Sequence, residues 1–397
     1  MKNYRHTIRA SYLGCVTQAA VNNLAPLLFL TFQNSYGITL EQIGFLITIN
    51  FGVQMFVDLI AAKYVDRIGY RISIVAAHIL CAGGLMGLGI LPNLFAVSYL
   101  GLLVSIVLYA IGGGLIEVLI SPIVEACPTE NKSSEMSLLH SFYCWGHVAV
   151  VLLSTLFFKT AGIENWPVLT ALWALLPLGN AVYFCFVPIQ PLVEEAHHSL
   201  SIRNLFSLKT FWILALLMVC AGASEQAMSQ WASAFAESGL HVSKTMGDLL
   251  GPCFFAVLMG TSRLLYARLS HRISLQKGLI LSGLLCLFSY ALTLFSPFPL
   301  LSLLGCGLCG FSVGILWPGT FSLASIQCPA GGTAMFALLA LAGDLGCLSG
   351  PGTVGIVSDW MGGNLKSGLL IAMIFPVVLV IGVRFLKKAP AQRVKQE

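Results

Sequence analysis

Three residues of one apolar segment have the types and the spacing for ion-coupled chemistry. Glu117, Ser121 and Glu125 follow one another at intervals of four, so they lie on one face of a helix. A carboxyl group in a low-dielectric interior favours its protonated form and exchanges its proton when water reaches it. Glu117 is therefore predicted to carry a coupling proton, and Glu125, nearer the segment's end, to be a gate or loop contact. The alternative for Glu117 is a neutral acid hydrogen-bonded inside the protein.

A second polar cluster lies in a later apolar segment. Gln226 and Gln230 share a helix face, and an amide carries both the donors and the acceptors that suit sugar hydroxyls. Trp231 offers a flat surface to the apolar face of a pyranose, and Trp317 offers a second one further along the chain. Glu225 could bind a proton, a sodium ion or a hydroxyl group. The alternative is that this cluster only ties helices together.

Further amides and charges lie in the other apolar segments. Gln18 and Asn22 are four residues apart, Asn23 is beside them, and all three are predicted to bind the same ligand. An ionisable side chain in a membrane span costs free energy, so it indicates function by default. Arg263 is expected to pair with one of two deep acids as a structural latch. Those two acids are Asp58 and Asp344, the remaining charged residues deep in the predicted spans.

Helices that cross a membrane must position these side chains. Only 9% of the 397 residues are charged and 57% are hydrophobic, whereas soluble domains are about 25% charged. Each apolar run is close to the roughly 20 residues that a spanning helix needs. Thr39 and Gln42 predict a capping box at the start of the second run. The predicted spans are 8–34, 40–65, 72–92, 95–126, 135–158, 166–190, 208–236, 246–266, 276–296, 298–327, 334–358 and 365–386.

This composition excludes soluble enzymes, nucleic-acid-binding proteins and disordered proteins, and it predicts an all-α membrane protein. Most of the 12 cysteines lie inside apolar runs, where thiols behave as small hydrophobic side chains. Cys306 and Cys309 form a C-x-x-C without a second pair or a polar loop, so no metal or cofactor is predicted. The sequence shows no nucleophile paired with a base, so no enzyme is predicted.

The basic residues predict the orientation. With a cytoplasmic N-terminus, 17 Lys and Arg residues lie in cytoplasmic segments, while only Lys159, Lys244 and Lys366 face outwards. This bias predicts that both termini are cytoplasmic, and the short loops favour the plasma membrane of a bacterium, its inner membrane. The polar segment 191–208 is predicted to be a cytoplasmic linker between two six-helix bundles, residues 1–190 and 209–397.

The two halves resemble each other weakly. Residues 66–68 (Asp-Arg-Ile) correspond to 271–273 (His-Arg-Ile), 205 positions later, and 126–128 (Ala-Cys-Pro) to 327–329 (Gln-Cys-Pro), 201 positions later. Transporters built by duplication show such repeats. We expect two pseudo-symmetric bundles; the alternative is that the ends of helices simply look alike.

The connection after the second span carries a more specific motif. Residues 62–71 resemble the signature G-x-x-x-D-R-x-G-R-K of the major facilitator superfamily. Asp66, Arg67 and Arg71 match it, whereas Ala62 replaces its first glycine and only one of the two final basic residues is present. The resemblance implies a twelve-helix major facilitator fold that works by alternating access. It also implies that the three charges act at a cytoplasmic gate, where the aspartate caps a helix and pairs with arginine.

Within that superfamily the chain resembles the fucose permease group of sugar:proton symporters, which includes sodium-dependent glucose transporter relatives. The fourth helix of that group carries a Glu, three residues and then Asn-Pro. Glu117 and Pro122 match this pattern, with Ser121 in place of the Asn. The resemblance implies that Glu117 is the proton- and sugar-linked acid.

The first helix departs from the same group. Asn22 and Asn23 match its Asn-Asn-Leu pattern, but Pro26 stands where the group has an essential acid. A scheme with two carboxylates in those places cannot operate unchanged. Glu225 is expected to take the second role, since relatives can carry G-A-x-E followed by Trp, as residues 222–231 do.

The sequence therefore predicts a secondary active transporter that imports a monosaccharide or a related small polar solute with protons. The alternatives are a proton-coupled drug or metabolite exporter, which the many amides disfavour, and a sodium-coupled or uncoupled sugar carrier, which Pro26 favours. The expected partners are the solute, a proton or sodium ion and membrane lipid, with no nucleic acid and no second copy. The predicted ligand residues are Gln18, Asn22, Asn23, Gln226, Gln230, Trp231 and Trp317, and the coupling residues are Glu117 and Glu225.

Overall fold

Twelve helices are long and apolar enough to cross a membrane in the part of the chain that the structure describes. The structure is a computed structural model that describes residues 4–128, 132–190, 202–269, 274–328 and 331–386. Every predicted span corresponds to one of these helices, so the all-α membrane fold is confirmed. The described chain forms two compact units, Met1–Glu195 and Ala196–Glu397. Most of the predicted linker lies outside the described residues, and its last part contains a short helix, Ile202–Phe206.

The first unit contains six membrane helices. Thr39 Oγ1 accepts a hydrogen bond from Gln42 N at 3.1 Å, and Thr39 N donates to Gln42 Oε1 at 2.9 Å, so the predicted capping box is confirmed. The helices are α1 (Arg5–Tyr36), α2 (Leu40–Ile68), α3 (Tyr70–Leu94), α4 (Ser98–Glu125), α5 (Lys132–Ala161) and α6 (Trp166–Phe186).

Helix α1 is interrupted within the membrane. Its first segment ends at Asn23, a 3₁₀ turn covers Ala25–Leu28, and the second segment begins at Phe29. Pro26 lies in this turn, and proline has no N–H to donate to the preceding turn of an α-helix. The interruption directly follows Asn22 and Asn23, so it comes where the predicted ligand residues end.

The second unit also contains six membrane helices, two of which include a π-helical turn. Helix α7 ends in a π-helical turn at Phe235–Gly239, and α8 contains another at Leu249–Cys253. Helix α10 is broken between Val313 and Leu316. The helices are α7 (Lys209–Gly239), α8 (Lys244–Leu269), α9 (Leu275–Phe295), α10 (Pro299–Gln327), α11 (Gly332–Trp360) and α12 (Leu365–Phe385).

Small residues set the distance between the helices that carry the polar side chains. In the first unit, a Cβ on Gly114 would lie 3.0 Å from the Cα of Gln54, so α4 packs directly against α2. In the second unit, a Cβ on Gly350 would lie 2.7 Å from the Cα of Ala223, so α11 packs directly against α7. Close backbone approach through small residues is the usual packing of membrane helices. It brings the polar faces of α1, α2 and α4 together, and it covers one face of α7.

Candidate solute and proton site

Glu117 lies at one end of a polar network inside the first unit. The side-chain amide of Gln18 donates from Nε2 to Glu117 Oε2 at 3.1 Å and to Gln54 Oε1 at 2.8 Å. The Gln18 and Gln54 side chains are buried, whereas Glu117 is exposed although it lies within a membrane span. The carboxyl group is therefore held by a neutral donor on one side and open to a ligand or water on the other.

The network continues from Gln54 to two asparagines. Gln54 Nε2 donates to Asn22 Oδ1 at 2.9 Å and to Asn50 Oδ1 at 3.0 Å. Asn50 Nδ2 donates to Asn22 Oδ1 at 3.2 Å. The side-chain oxygen of Asn22 on α1 thus accepts hydrogen bonds from two side-chain amides of α2. Asn50 and Gln54 were not among the predicted ligand residues, although their spacing of four residues could have identified them.

Asn23 faces a different neighbour from Asn22. Its Nδ2 donates to the carbonyl oxygen of Ala19 at 2.8 Å and to the hydroxyl of Tyr143, on α5, at 3.5 Å. The side chain is buried, with 4% of its surface exposed. Asn23 therefore joins α1 to α5 here, and the ligand role predicted for it stays a prediction.

The second unit contains a shorter amide chain that also ends on a carboxyl group. Gln230 Nε2 donates to Gln226 Oε1 at 3.1 Å, and Gln226 Nε2 donates to Glu225 Oε1 at 3.3 Å. Both glutamines are buried and Glu225 is partly exposed. The structure thus joins the three polar residues that the sequence singled out on α7, in one chain of hydrogen bonds directed towards the acid.

The two predicted aromatic platforms differ in exposure. Trp231 is fully buried, and its Nε1 donates to the carbonyl oxygen of Pro351 on α11 at 3.0 Å. Because α11 covers it, its indole has no face open to a sugar in this structure. Trp317 is partly exposed and meets Phe321 edge-on, with ring centroids 6.1 Å apart. Phe321 in turn contacts Phe336 of α11 at 5.7 Å.

Arg263 joins α8 to α10 in the second unit. Its Nε donates to the carbonyl oxygen of Gly314 at 3.1 Å, at the break in α10. Its positive charge also acts on the Glu225 carboxyl group of α7. The pairing predicted between Arg263 and Asp58 or Asp344 stays a prediction.

The charged residues of the signature motif lie on two helices, at the end of α2 and at the start of α3. Asp66 and Arg67 lie in the last turns of α2, but their side chains lie outside the described residues. Arg71, in the first turn of α3, donates hydrogen bonds to carbonyl oxygens at the end of α6 within the same unit. Its gating role stays a prediction. Among the described residues, no group of three or more His, Cys, Asp or Glu side chains could hold a metal ion.

Comparisons with known proteins match this architecture. The model of the Major Facilitator Superfamily matches residues 11–351. Among solved structures, a D-xylose–proton symporter is similar with a TM-score of 0.82 and 15% identity, over 98% of this chain and 100% of that chain. The E. coli fucose:proton symporter gives 0.64 and 18%, over 97% and 99%. A nucleoside transporter gives 0.76 and 15%, over 96% and 98%. A search of curated proteins finds no sequence match.

Proposed function

We propose that this chain, which belongs to the Major Facilitator Superfamily and is therefore a multi-pass membrane transporter, imports a monosaccharide or related small polar solute together with protons. The predicted superfamily is confirmed, whereas the solute, the coupling ion and the direction of transport are parts of the proposal. We place the protein in a bacterial inner membrane with both termini in the cytoplasm, on the distribution of its basic residues.

The observation that carries the proposal is the Glu117 carboxyl group, exposed inside a membrane span and bound by the amide of Gln18. A carboxylate accepts hydrogen bonds from sugar hydroxyls, and the same group can take up a proton. The amide neighbours stabilise either form, because an amide can donate to the carboxylate or accept from the carboxylic acid. Glu117 is thus suited to bind solute and proton in turn.

Glu225 supports the proposal as a second coupling residue. It receives a hydrogen bond from Gln226, and the charge of Arg263 acts on it. The residues predicted to bind the transported solute are part of the same proposal. We propose Gln18, Asn22 and Gln226 as its principal amide partners, with Trp317 as the aromatic contact.

Counterflow in liposomes tests this function. We would reconstitute the protein and measure exchange of labelled glucose, galactose, fucose and mannose, and then accumulation driven by a proton gradient. In Glu117→Gln, exchange of the transported sugar should survive while accumulation is lost, because glutamine keeps the hydrogen bonds but cannot take up a proton. Glu164→Gln, which changes an exposed acid before α6, is the matched control and should accumulate like the native protein.

Two results would contradict the proposal. If folded protein exchanges none of the sugars, the sugar assignment is wrong. If Glu117→Gln accumulates sugar as well as Glu164→Gln does, Glu117 is not the coupling residue. Replacing sodium with choline at fixed pH separates proton coupling from the sodium-coupled alternative, which Pro26 in the first helix favours.

A second class of solute is favoured by the aromatic side chains. Trp317, Phe321 and Phe336 form a contiguous, partly exposed group that suits a flat aromatic solute. Such a solute could be a nucleoside, or a lipophilic drug carried outwards. Counterflow of labelled uridine and binding of a lipophilic cation should be measured beside the sugars. Activity with either of these, in the absence of sugar exchange, would establish this second class.

A further inference from the structure

A groove of about 560 Å³ opens where α1, α3 and α6 of the first unit meet. It lies beside the first turns of α1 and α3 and the last turn of α6, at the level where these spans leave the membrane. Its described lining includes two basic side chains, His6 and Arg71, and no acidic one. The remaining lining residues are a tyrosine and apolar residues, among them Phe186 and Val187.

Arg71 holds a positive charge in a fixed position beside this groove. Its Nη1 donates to the carbonyl oxygens of Phe184 at 2.6 Å and Cys185 at 2.7 Å, and its Nη2 donates to that of Val187 at 2.8 Å. These are carbonyls that the end of a helix leaves without an intrahelical partner. Carbonyl groups orient the guanidinium but do not neutralise it. Among the described residues, no carboxylate forms a salt bridge with Arg71.

Residues of α1 fix the opposite side of the groove. His6 Nδ1 and the hydroxyl of Tyr183 are 2.7 Å apart, and their rings meet edge-on. Thr7 Oγ1 donates to the carbonyl oxygen of Pro188 at 2.6 Å. The groove is therefore built from three helices, with its hydrogen-bonding groups held in place.

The polar end of the groove adjoins an apolar surface. Phe186 has 82% of its surface exposed, at the last position of α6. Tyrosine is a typical residue of the membrane–water interface, and basic pockets between membrane helices bind anionic headgroups. We infer that this groove binds the phosphate of an anionic phospholipid headgroup, with Phe186 packed against the acyl chain.

A free phosphate ion would fit this site less well than a lipid. An inorganic anion could use Arg71 and His6, but it would make no use of the exposed Phe186. Under the predicted orientation the lipid belongs to the cytoplasmic leaflet, where anionic headgroups attract basic residues. The inference rests on the membrane fold and not on the identity of the transported solute.

Native mass spectrometry of the full chain tests this site. The detergent-purified protein would be incubated with equal amounts of phosphatidylglycerol and phosphatidylcholine. Retained phosphatidylglycerol should fall about fivefold in Arg71→Gln, the factor that corresponds to one basic residue near an anionic surface. Arg384→Gln is the matched control, because Arg384 is exposed at the end of α12 beside the exposed Phe385, and it should retain the native preference.

A second measurement protects the test against misfolding of Arg71→Gln. A photoactivatable phosphatidylglycerol bound to the native protein should crosslink to peptides containing residues 183–190 or 4–9. Crosslinks that avoid both peptides would overturn the inference. So would equal losses in Arg71→Gln and Arg384→Gln, equal retention of the two lipids, or displacement of phosphatidylglycerol by millimolar inorganic phosphate.

Discussion

The first membrane helix of each unit carries two side-chain amides four residues apart, and one of the two donates a hydrogen bond to an acid. The two acids have different surroundings. In α1, the neutral side-chain amide of Gln18 donates to Glu117, which is exposed. In α7, Gln226 donates to Glu225, and the positive charge of Arg263 also acts on this acid. An acid beside neutral groups can take up a proton without leaving a neighbouring cation unpaired. The two proposed coupling acids therefore differ in their neighbours: an amide bonds Glu117, whereas an amide and a nearby cation both act on Glu225.

The same pair of units differs in how the first and second helices are connected. In the first unit, the αL residue Gly37 ends α1 and the Thr39 capping box begins α2. In the second unit, four charged or hydroxyl side chains of α7 and α8 form one network. Lys244 Nζ lies 3.0 Å from Glu237 Oε1, 3.1 Å from Asp248 Oδ1 and 3.3 Å from Ser233 Oγ. Each second helix thus begins with a side-chain cap, Thr39 or Ser243, but ion pairs and two π-helical turns accompany the cap of the second unit only.

The largest expected effect comes from breaking this ionic connection. In Lys244→Met, the fully buried Asp248 loses its cation and remains beside Glu237. Breaking a buried ion pair costs about 3–5 kcal/mol, and partial exposure of Lys244 places the expected loss of unfolding free energy near the lower end. Thermal unfolding in detergent measures it. Lys159→Met, at an exposed lysine of α5, should leave the midpoint unchanged, and an equal loss there would contradict the assignment.

The next effect tests the contrast between the two acids. Glu225→Gln leaves the charge of Arg263 without this carboxyl group, and we expect a smaller loss of unfolding free energy than in Lys244→Met, because both side chains are partly exposed. The double variant Glu225→Gln/Arg263→Gln should recover part of that loss. Glu117→Gln should cost less than Glu225→Gln, because its neighbours are neutral amides. Thermal unfolding of the native protein, Glu225→Gln, Arg263→Gln and the double variant completes the cycle, and simple additivity of the two single changes would show that the charges do not interact.

Much of the fold was readable in the sequence because apolar length alone identifies a membrane span. The breaks in α1 and α10 were not predicted, since an apolar run looks the same whether or not its hydrogen bonds are continuous. Pro26 could have signalled the first break, and Pro318, which has no N–H to donate to the carbonyl oxygen of Gly314, could have signalled the second. The amide spacing identified Gln226 and Gln230 as a pair, but which groups they would bond depends on side-chain directions.

Trp231 shows a different limit. Its residue type suggested a ligand platform, but α11 packs closely on α7, with Gly350 against Ala223 and the carbonyl oxygen of Pro351 bonded to Trp231. Which face of α7 is covered depends on a helix more than 100 residues later, and hydropathy along one helix carries no information about that neighbour. Residue type could therefore locate the polar clusters, whereas contacts between helices decide which members are open to a ligand.

A smaller effect separates the two amide chains. Gln18→Leu removes the donor of both Gln54 Oε1 and Glu117 Oε2, whereas Gln230→Leu removes only the donor of Gln226 Oε1. An unsatisfied buried polar group costs about 1–3 kcal/mol, and Glu117 is open enough for water to replace part of its loss. We expect Gln18→Leu to lower the unfolding free energy by about 1–2 kcal/mol, and Gln230→Leu by about 1 kcal/mol. Equal losses of unfolding free energy in the two variants would contradict this difference between the two chains of amide hydrogen bonds.

The smallest effect tests the connection that contains no ion pair. Thr39→Ala removes the hydroxyl that accepts from Gln42 N and leaves the reciprocal bond from Thr39 N to Gln42 Oε1 intact. Loss of an N-cap side chain costs about 1 kcal/mol, and exposure lets water replace part of it, so the shift should be well below that of Lys244→Met. Thr39→Ser keeps the hydroxyl and should unfold like the native protein. The ionic strength of the buffer sharpens the contrast, since salt screens exposed charge interactions but not a cap made by an uncharged hydroxyl group. A rise in salt should therefore narrow the difference between native protein and Lys244→Met, as far as solvent reaches that cluster, and should leave the difference caused by Thr39→Ala unchanged.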